Sequence, residues 1–385
     1  MPIMKNVVGL DVGSHAIKAV ELQQSFRRLE AVQVRAVAID NAELDVSELI
    51  GRFSQVHQFA TDHVVTAVRG DRISVRRLTF PFAERRKLAQ AVPFEVEDQL
   101  PFEIEDVVLD WSVVGGDRSQ AEVVAAVAPR SEVSALIDTL HAAGCDPRTV
   151  ECEGLVLANL TAAFDLPGNR LLVDLGHAKT TLCALSGERA IGARSIGVAG
   201  RALTEVIAQD RTLSLQDAER VKCEEGIIDR TLGAPLPKAA ALIEQIANEI
   251  MRFVASMEPA FAGDFSQVTL VGGTAQLDRI DEMLAERTGL PTARIGLPRD
   301  EAGLGLVAGG SPVLFAPAIA LALRGTARAR TGLNFRQDEF SRRVDLSRYR
   351  RDFGPTAILA AAVAALAMVS LTTEAFVESV RAQNI

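Results

Sequence analysis

Two short segments of this chain carry the residue types that bind phosphate. Residues 7–14 read Val-Val-Gly-Leu-Asp-Val-Gly-Ser and are followed by Lys18, and residues 171–181 read Leu-Leu-Val-Asp-Leu-Gly-His-Ala-Lys-Thr-Thr. In each segment an apolar strand ends in Asp-x-Gly. Glycine lets the backbone approach a phosphate, N–H groups and hydroxyls bind its oxygens, and the aspartate can hold a magnesium ion through water. The pair predicts a nucleotide bound between two related halves.

Two later segments add candidate contacts to a ribose and a base. Glu219 and Lys222 are three positions apart on a predicted helix and share one face, although most such pairs are solvated surface charges. Residues 268–275 read as a buried strand ending in Gly272 and Gly273, where an adenosine could lie against the backbone. Double glycines are common in turns, so this segment alone is weak evidence. The evidence for a nucleotide site is the order of the two phosphate segments, the Glu219 and Lys222 pair and the double glycine along the chain.

Catalytic residues are harder to identify. Hydrolysis needs a group that orients a water molecule. Glu153 and Asp165 precede the second phosphate segment, but acidic residues near loops are common and neither is singled out. His15 and His177 lie inside the two phosphate segments; the simpler interpretation is that they are variable positions where the backbone makes the contacts.

The elements that must position these residues mix strands and helices. Strands are predicted over 64–68 and 73–80, around a turn at Gly70 and Asp71, and a helix is predicted over 237–257. The order strand, helix, strands, helix over residues 73–148 indicates a small α+β module inserted into a larger fold.

Composition sets limits on the class of protein. The chain has 385 residues, 48% hydrophobic and 24% charged, which is enough for two or three domains with their own cores. Its net charge of -9 argues against nonspecific nucleic-acid binding. The four cysteines show no CxxC spacing and are expected to be reduced thiols, and no cleaved secretion signal is predicted.

A membrane span is predicted near the C-terminus. Residues 356–373 contain no charge, glycine or proline. As a helix they would reach roughly 27 Å, close to the thickness of one hydrocarbon core. An in-plane anchor would show one polar face, whereas this segment is apolar all round, so a span is favoured.

Charges on either side of the predicted span set its orientation. After it only Arg381 occurs, set against Glu374 and Glu378. Arginines precede it at Arg324, Arg328, Arg330, Arg336, Arg342, Arg343, Arg348, Arg350 and Arg351. This asymmetry predicts a cytoplasmic N-terminal part, with arginines that meet anionic lipids. The chain stops twelve residues beyond the span, so the far-side region is expected to be either very small or truncated.

The order of the four motifs resembles the superfamily of actin, the sugar kinases and the 70-kilodalton heat-shock ATPases. The resemblance implies an α/β, actin-like (ribonuclease H-like) two-lobed fold that binds ATP and Mg2+. Carried over by position, it implies that Asp11 and Asp174 organise magnesium. The implied nucleotide contacts are, for the phosphates, Gly13, Ser14, Lys18, Gly176 and Thr180; for the ribose and base, Glu219 and Lys222; and for the adenosine, Gly272 and Gly273.

A closer resemblance covers the inserted module. Residues 95–111, Glu-Val-Glu-Asp-Gln-Leu-Pro-Phe-Glu-Ile-Glu-Asp-Val-Val-Leu-Asp-Trp, are similar to a motif of the actin-like assembly proteins of type IV pilus and type II secretion machines. In these proteins the module replaces an actin subdomain, as in the division protein FtsA. The pilus protein PilM is soluble and has a separate membrane partner, whereas the secretion protein L (GspL) carries its own span. Residues 333–340 resemble the juxtamembrane segment of protein L, so the sequence favours protein L.

These resemblances imply an inner-membrane scaffold with little or no ATP hydrolysis. The expected partners are a hexameric secretion or pilus ATPase, an inner-membrane protein M or its pilus equivalent, anionic lipids and a second copy of the chain, with no nucleic acid. Three alternatives remain: a PilM-like alignment protein fused to its membrane partner, an active ATPase, and a scaffold whose pocket is empty.

The segment 333–340 could also dock on the body itself, in a groove beside the inserted module, as a peptide from the membrane partner does in the pilus relatives. The alternative is an unstructured basic linker. The predicted divisions are 1–76 and 149–325 for the actin-like lobes, 77–148 for the module, 326–354 for the basic linker, 355–373 for the transmembrane helix and 374–385 for the start of a periplasmic segment.

Overall fold

The computed structural model describes residues 5–25, 28–39, 45–100, 103–229, 233–257, 265–299, 304, 310–342, 359 and 361–375. The chain divides into two compact units, Met1–Phe340 and Ser341–Ile385. Parts of the predicted basic linker and of the predicted periplasmic segment, and Pro101 and Phe102 of the module motif, lie outside the described residues.

The strands are β1 (Lys5–Val12), β2 (Ala16–Gln24), β3 (Leu29–Ala38), β4 (Val64–Val68), β5 (Ser74–Phe80), β6 (Val107–Gly116), β7 (Ala121–Pro129), β8 (Pro147–Cys152), β9 (Asn169–Leu175), β10 (Thr180–Ser186), β11 (Arg189–Ile196), β12 (Ile228–Asp229), β13 (Ala234–Pro235), β14 (Gln267–Val271) and β15 (Thr292–Arg294). The helices are α1 (Val46–His57), α2 (Arg85–Glu97), α3 (Arg130–Ala142), α4 (Glu153–Val156), α5 (Gly200–Arg211), α6 (Leu215–Glu225), α7 (Pro237–Met257), α8 (Ile280–Thr288) and α9 (Pro312–Arg324). The prediction of a helix over 237–257 is confirmed.

Two sheets of the first unit repeat one topology. Their strand orders are β3-β2-β1-β4-β8 and β11-β10-β9-β14-β15. In each sheet the first three strands pair antiparallel and the last two join parallel to the third. The two phosphate segments therefore end equivalent strands, β1 and β9, which confirms the prediction of two related halves.

Helix α9 packs directly on the strand that carries the first segment. A Cβ at Gly9 of β1 would lie 2.9 Å from the Ala322 Cα of α9 and closer still to the Ala318 carbonyl oxygen. The strand and helix can therefore approach this closely only because residue 9 is glycine. The sequence interpretation did not identify α9, which contributes ten buried residues to the core.

The inserted module is a separate sheet, β5-β7-β6, covered by α2. Leu88, Val92 and Val96 recur every four residues, so they share one helix face and are buried against the sheet. The predicted turn between strands 64–68 and 73–80 does not make a hairpin. β4 pairs with β1 and β8 in the body, while β5 pairs with β7 in the module, so the chain changes sheets at this turn.

The second unit is described at Leu359 and at residues 361–375, which are helical with exposed side chains. Across the described residues, the helices include none that combines the length and apolar character needed to cross a bilayer. Residues 356–358 and 360 of the predicted span lie outside the described residues.

Candidate functional site

The turns that follow β1 and β9 have the same backbone construction. In the first, the Gly13 N–H donates to the Ala16 carbonyl at 3.1 Å, and in the second the Gly176 N–H donates to the Lys179 carbonyl at the same distance. A Cβ at Gly13 or Gly176 would lie 2.7 or 2.8 Å from that carbonyl oxygen, which is too close for any side chain. Both turns therefore require glycine, which explains the shared Asp-x-Gly pattern.

The two turns face each other. The rings of His15, from the first turn, and His177, from the second, stack with their centroids 4.8 Å apart. The sequence interpretation treated both as variable positions, and nothing in the sequence indicated that they are neighbours. Their contact marks the place where the two halves meet.

The carboxylates that end β1 and β9 lie near one ammonium group. Lys18 Nζ binds Asp11 Oδ2 at 2.6 Å. Burial by itself would lower the pKa of Lys18, but the charges of Asp11 and Asp174 raise it. Burial raises the pKa of Asp174 to about 7; Lys18 opposes this shift, whereas Asp11 and Glu153 add to it. We call Asp11, Lys18, Glu153 and Asp174 the acidic cluster. It is rich in carboxylate oxygens, the donors that magnesium prefers.

A second ion pair extends this cluster. Lys179 Nζ lies 3.1 Å from Glu153 Oε2 and 3.8 Å from Asp71 Oδ1. The Gly70 N–H donates to the same Glu153 oxygen. Burial raises the pKa of Glu153, although Lys179 opposes the shift. The sequence interpretation gave Lys179 no role. Its other acidic candidate, Asp165, is exposed.

The double glycine lies against the second phosphate turn. Gly272 has φ +95°, and a Cβ there would lie 2.6 Å from the Leu175 carbonyl oxygen and closer still to Asp174 Oδ1. Its N–H donates to the Val313 carbonyl of α9 at 2.7 Å. Gly273 is exposed. Gly272 thus lets β14 and α9 approach the Asp174 carboxylate, and Gly273 is the member of the pair that is open to a ligand.

Helix α5 holds the second turn in place. The Gly200 N–H donates to the Gly176 carbonyl at 3.1 Å, and the Arg201 N–H donates to the His177 carbonyl at 2.7 Å. The first N–H groups of a helix have no partner within it, so here the turn supplies one. Thr274 Oγ1 also donates to the Gly176 carbonyl at 2.7 Å. Gly200 and Thr274 were not singled out from the sequence.

Glu219 and Lys222 lie on one face of α6, as predicted. Lys222 is only 3% exposed, and its ammonium donates to Glu219 Oε2 at 2.7 Å, Thr204 Oγ1 at 2.9 Å and the Gly200 carbonyl at 3.1 Å. An ammonium has three donors, so all are used within the protein. Burial would raise the pKa of Glu219, but the bonds from Lys222 and Thr204 lower it. Lys222 joins α6 to α5, and Glu219 remains partly exposed.

The hydroxyl groups of the two turns have different surroundings. Ser14 is exposed at the first turn. Thr180 is fully buried, and its hydroxyl donates to the Val198 carbonyl at 2.7 Å. A contact between Thr180 and a phosphate would require this bond to break. Of the predicted phosphate contacts, Lys18 lies in the acidic cluster and the two glycines shape the turns.

The segment after α9, residues 326–340, folds back onto the first unit, and we call it the C-terminal strap. Leu333 and Phe335 are buried in the main core. The Phe335 N–H donates to the Val150 carbonyl of β8 at 2.7 Å. The Val150 N–H donates to Asn334 Oδ1 at 3.0 Å. The strap therefore pairs with β8 through both backbone groups of Val150.

The strap also contacts the inserted module. The Asn334 N–H donates to Asp110 Oδ2 of β6 at 2.8 Å. The Arg336 guanidinium binds Asp146 Oδ1 at 2.5 Å. The hypothesis that residues 333–340 dock beside the module is confirmed by these contacts.

A buried ion pair holds the start of the strap. Arg324 Nε lies 2.5 Å from Glu151 Oε2, to which Thr331 Oγ1 also donates at 3.2 Å, and the Arg324 guanidinium donates to the Leu333 carbonyl at 3.2 Å. Burial raises the pKa of Glu151 to about 7, with Arg324 opposing. Within the described part of the chain, Glu151 Oε1 has no hydrogen-bond partner. Glu151 is two residues from Glu153, so this stretch contacts both the strap and the acidic cluster.

Comparisons with known proteins identify the family. The family model described as type IV pilus assembly protein PilM matches residues 9–300. A chain of the PilM–PilN type IV pilus biogenesis complex is 22% identical, with a TM-score of 0.68 over 83% of this chain and 98% of that chain. This likeness shows the fold, an actin-like α/β architecture.

Two weaker likenesses support no functional conclusion. The cytoplasmic domain of EpsL, an inner-membrane component of the type II secretion system of Vibrio cholerae, is 14% identical, with a TM-score of 0.42 over 88% of this chain and 100% of that chain. MreB5 of Spiroplasma citri bound to ADP is 17% identical, with a TM-score of 0.45 over 82% of this chain and 97% of that chain.

The preference for protein L is not confirmed, since the family match points more directly to the pilus protein. The matched range includes both phosphate turns, the inserted module, α6 and the double glycine, and it covers more than half of the chain. This chain therefore belongs to the type IV pilus assembly protein PilM family.

Proposed function

We propose that this protein is an assembly scaffold of a type IV pilus machine and that its actin-like body binds ATP. The observation that carries the proposal is the family match over residues 9–300. The similar chain of known structure is part of a PilM–PilN complex, and by analogy this chain pairs with a membrane protein of the pilus apparatus.

ATP would lie between the two phosphate turns. The carboxylate oxygens of Asp11 and Asp174 fit a magnesium ion held through water, which would neutralise phosphate charge. Of the other predicted contacts, Ser14, Lys18, Glu219 and Gly273 are at least partly exposed and are proposed to hold the nucleotide, while Gly13 and Gly176 shape the turns. Thr180 and Gly272 are buried and would support the site from behind. Lys222 would act by holding Glu219 and the first turn of α5 in place, since its donors are already used.

Bound nucleotide would join the two halves. Asp11 and Lys18 come from one sheet and Asp174 from the other, so a ligand that contacts all three stabilises one arrangement of the halves. A ligand can shift such an arrangement only by its difference in affinity for the two states. We infer that the arrangement set in this way controls which surface the body presents to its partners.

The test of nucleotide binding is isothermal titration calorimetry with magnesium ATP and the full chain in detergent micelles. Saturable binding is expected, with loss in Asp11→Ala and Asp174→Ala. The matched control is Asp165→Ala, an exposed aspartate outside the cluster, which should bind as the wild type does. Absence of binding by the folded wild type would show that the actin-like body serves only as a recruitment surface.

A second candidate function is an active ATPase, favoured by Glu153. This partly buried carboxylate lies within the influence of Asp11 and is held by Lys179 and the Gly70 N–H. A carboxylate in this position could orient a water molecule toward a phosphate. Steady phosphate release that Glu153→Gln abolishes, with binding retained, would establish turnover. If the protein binds ATP but releases no phosphate, the active-ATPase function is excluded and the scaffold function remains.

We also propose that residues 355–373 anchor the protein in the inner membrane by a single pass, with the body in the cytoplasm. The support is the charge-free apolar segment and the arginines that precede it. The full chain should sediment with inner membranes, resist extraction by carbonate, and expose residues 1–340 to protease only from the cytoplasmic side. Release of the chain by carbonate would refute the span.

The machine can be either a pilus or a type II secretion apparatus. An anchor in the same chain is the arrangement expected of protein L, which recruits a hexameric ATPase and pairs with protein M. Cross-linking of the full chain in its native membrane, followed by mass spectrometry, separates the two. Capture of pilus components would support the proposed pilus function. Capture of a secretion ATPase and protein M would refute it and assign the chain to a type II secretion apparatus. Cross-links between copies would show the proposed homodimer.

A further inference from the structure

The stacked pair His15 and His177 is the contact between the tips of the two phosphate turns. The ring centroids are 4.8 Å apart and the ring planes differ by 25°. His15 is exposed and His177 is half-buried. Among the described residues, no nitrogen of either ring has a hydrogen-bond partner. The nitrogens of both rings are therefore available to a ligand that reaches the two turns.

Few other side-chain donors remain at the turns. Thr180 is bonded to a carbonyl, and Lys222 uses all three of its donors. Arg201, at the start of α5, binds Glu205 at 3.0 Å. A phosphate that enters between the turns therefore meets Lys18, the exposed Ser14 hydroxyl and the two imidazoles. Imidazole gains a donor when it is protonated, and phosphate oxygens accept charge-assisted hydrogen bonds strongly.

Before an anion arrives, the surroundings of His177 favour the neutral form of its ring. Burial lowers the pKa of His177, while Glu219 of α6 opposes this and His15, Lys222 and Arg201 add to it. Two imidazolium rings would repel each other when stacked, so protonation of both favours their separation. A phosphate between or beside them reverses the balance, because its negative charge stabilises both protonated rings.

We propose that His15 and His177 are the terminal-phosphate ligands of the cleft: the stack opens as a nucleoside triphosphate enters, and each ring donates an N–H to a phosphate oxygen from its own half. This inference rests on the proposed binding of nucleotide. It makes the pair a determinant of specificity for triphosphate over diphosphate. It also couples binding to proton uptake at His177, because burial favours the neutral form of that ring before an anion binds.

The sign of the pH dependence follows from this coupling. A ring whose pKa is higher in the complex than in the free protein binds more protons in the complex, so affinity is greatest below the free pKa. Affinity then falls as the pH rises through the pKa of the complex. Asp174 titrates near pH 7 as well, and its effect has to be separated. A variant that changes only the histidines keeps the contribution of Asp174 to the pH dependence of affinity. The difference between this variant and the wild type is therefore the contribution of the two histidines.

The experiment is calorimetric titration of magnesium ATP and magnesium ADP into the full chain in micelles at pH 7.5. It is repeated in two buffers that differ in ionisation enthalpy, which gives the number of protons taken up. The wild type should take up protons with ATP and fewer with ADP. The variant His15→Asn/His177→Asn should take up fewer with ATP, and its affinity for ATP should fall by about tenfold per histidine, with a smaller loss for ADP.

The control is His57→Asn, which changes a histidine at the end of α1 and should leave proton uptake and affinity unchanged. Thermal melting verifies that each variant is folded, and the single variants replace the double variant if it is not. A second readout is histidine-selective nitrogen NMR, in which the resonances of both rings should move when ATP is added and the pKa of His177 should rise.

Binding with equal proton uptake and equal triphosphate preference in wild type and double variant would overturn this inference alone. Failure of the folded wild type to bind any nucleotide would overturn the proposed function and this inference with it. These two outcomes are distinguished by the wild-type titration.

Discussion

At the scale of single residues, the acidic cluster depends on one glycine, which leaves room for the Asp174 carboxylate. Gly272 has a left-handed φ of +95°, and its α-carbon lies so close to Asp174 that no side chain fits. The space that the Asp174 carboxylate occupies is therefore open only because the residue that follows β14 has no Cβ. Gly289 also has a left-handed φ, of +70°, but a Cβ there would meet nothing within 4 Å. Substitutions at these two glycines therefore allow the effect of backbone strain to be measured separately from the effect of a steric clash.

Gly272→Ala should abolish nucleotide binding, because the added methyl group displaces the Asp174 carboxylate. It should also lower the free energy of unfolding by about 2 kcal/mol, through strain and the clash. Gly289→Ala should lower it by about 1 kcal/mol and leave binding intact, because it carries strain alone. Urea denaturation and calorimetry measure both quantities. Equal binding by the two variants would contradict the assigned role of Gly272.

Lys18 is the ammonium that offsets the carboxylates of the cluster. It binds Asp11 at 2.6 Å and acts on Asp174 through its charge. Its side chain is only 14% exposed, so solvent screens it weakly. Removing it leaves the acidic groups to repel both one another and an incoming phosphate.

Lys18→Met should weaken magnesium ATP binding by about tenfold or more, the loss of one charge-assisted contact. Lys87→Met removes a lysine from the exposed pair with Glu84 and should change neither affinity nor stability, since exposed ion pairs contribute little. Calorimetry with both variants tests the expectation. An unchanged affinity in Lys18→Met would place the phosphates elsewhere.

At the scale of elements, α9 and the strap connect the cleft to the C-terminal end of the first unit. The start of α9 accepts the Gly272 N–H through Val313, and its last residue, Arg324, binds Glu151 and the Leu333 carbonyl. The strap adds Phe335, which is fully buried. The route from the cleft to the predicted linker therefore runs through packed elements.

The variant Asn334→Ala/Phe335→Ala should release the strap. Truncating a buried phenylalanine costs about 3–5 kcal/mol, and the lost amide leaves the Val150 N–H without its acceptor. Limited proteolysis should then cut within residues 326–342 at a higher rate. Phe94→Ala is the matched control, because Phe94 is 68% exposed. Unchanged protease sensitivity would refute docking of the strap.

The strap should also respond to pH through Glu151. Its pKa is about 7 in the folded protein, above the ordinary value of a glutamate near 4.3. A raised folded pKa contributes stability that is complete below the unfolded pKa and is lost as the pH rises through the folded pKa. The stability of the strap should therefore fall as the pH rises from about 4.3 to about 7. Hydrogen exchange of residues 331–340 measures this.

Glu151→Gln should flatten this pH dependence, because an amide cannot ionise. Glu188→Gln changes an exposed partner of Arg330 and should leave it unchanged. A slope that is as steep in Glu151→Gln as in the wild type would assign the effect to another group.

At the scale of the whole molecule, the boundary between the two compact units falls after Phe340. It lies inside the predicted linker 326–354, because the strap belongs to the body. The sequence placed this boundary at residue 325, where the arginine-rich composition begins. Burial of Leu333 and Phe335 moves it to the end of the strap.

A chain truncated after Phe340 should therefore unfold at the same temperature as the body of the full chain. Truncation after Gly325 should lower the free energy of unfolding by about 3 kcal/mol or more, since two large apolar side chains are lost from the core. Circular dichroism melting of the two truncations compares them directly. Equal melting temperatures would show that the strap adds nothing to the stability of the body.

Features that depend on local chemistry could be predicted from the order of residues alone. An apolar strand followed by Asp-x-Gly identifies each phosphate turn, because the turn needs glycine wherever it occurs in a fold. The same local pattern repeated at Asp11 and Asp174 was enough to predict two related halves. The order of elements over residues 73–148 predicted the inserted module. The resemblance of residues 95–111 indicated the assembly proteins of pilus and secretion machines, but the preference for protein L was not confirmed.

The folded structure was needed to show which groups distant in the chain meet. It showed that His15 stacks on His177, that Lys222 is used inside the protein, and that Lys179 pairs with Glu153. It also placed β4 and β5 in different sheets and revealed α9 as a core helix. These outcomes depend on packing between segments far apart in the chain, and neither periodicity nor residue type specifies such contacts.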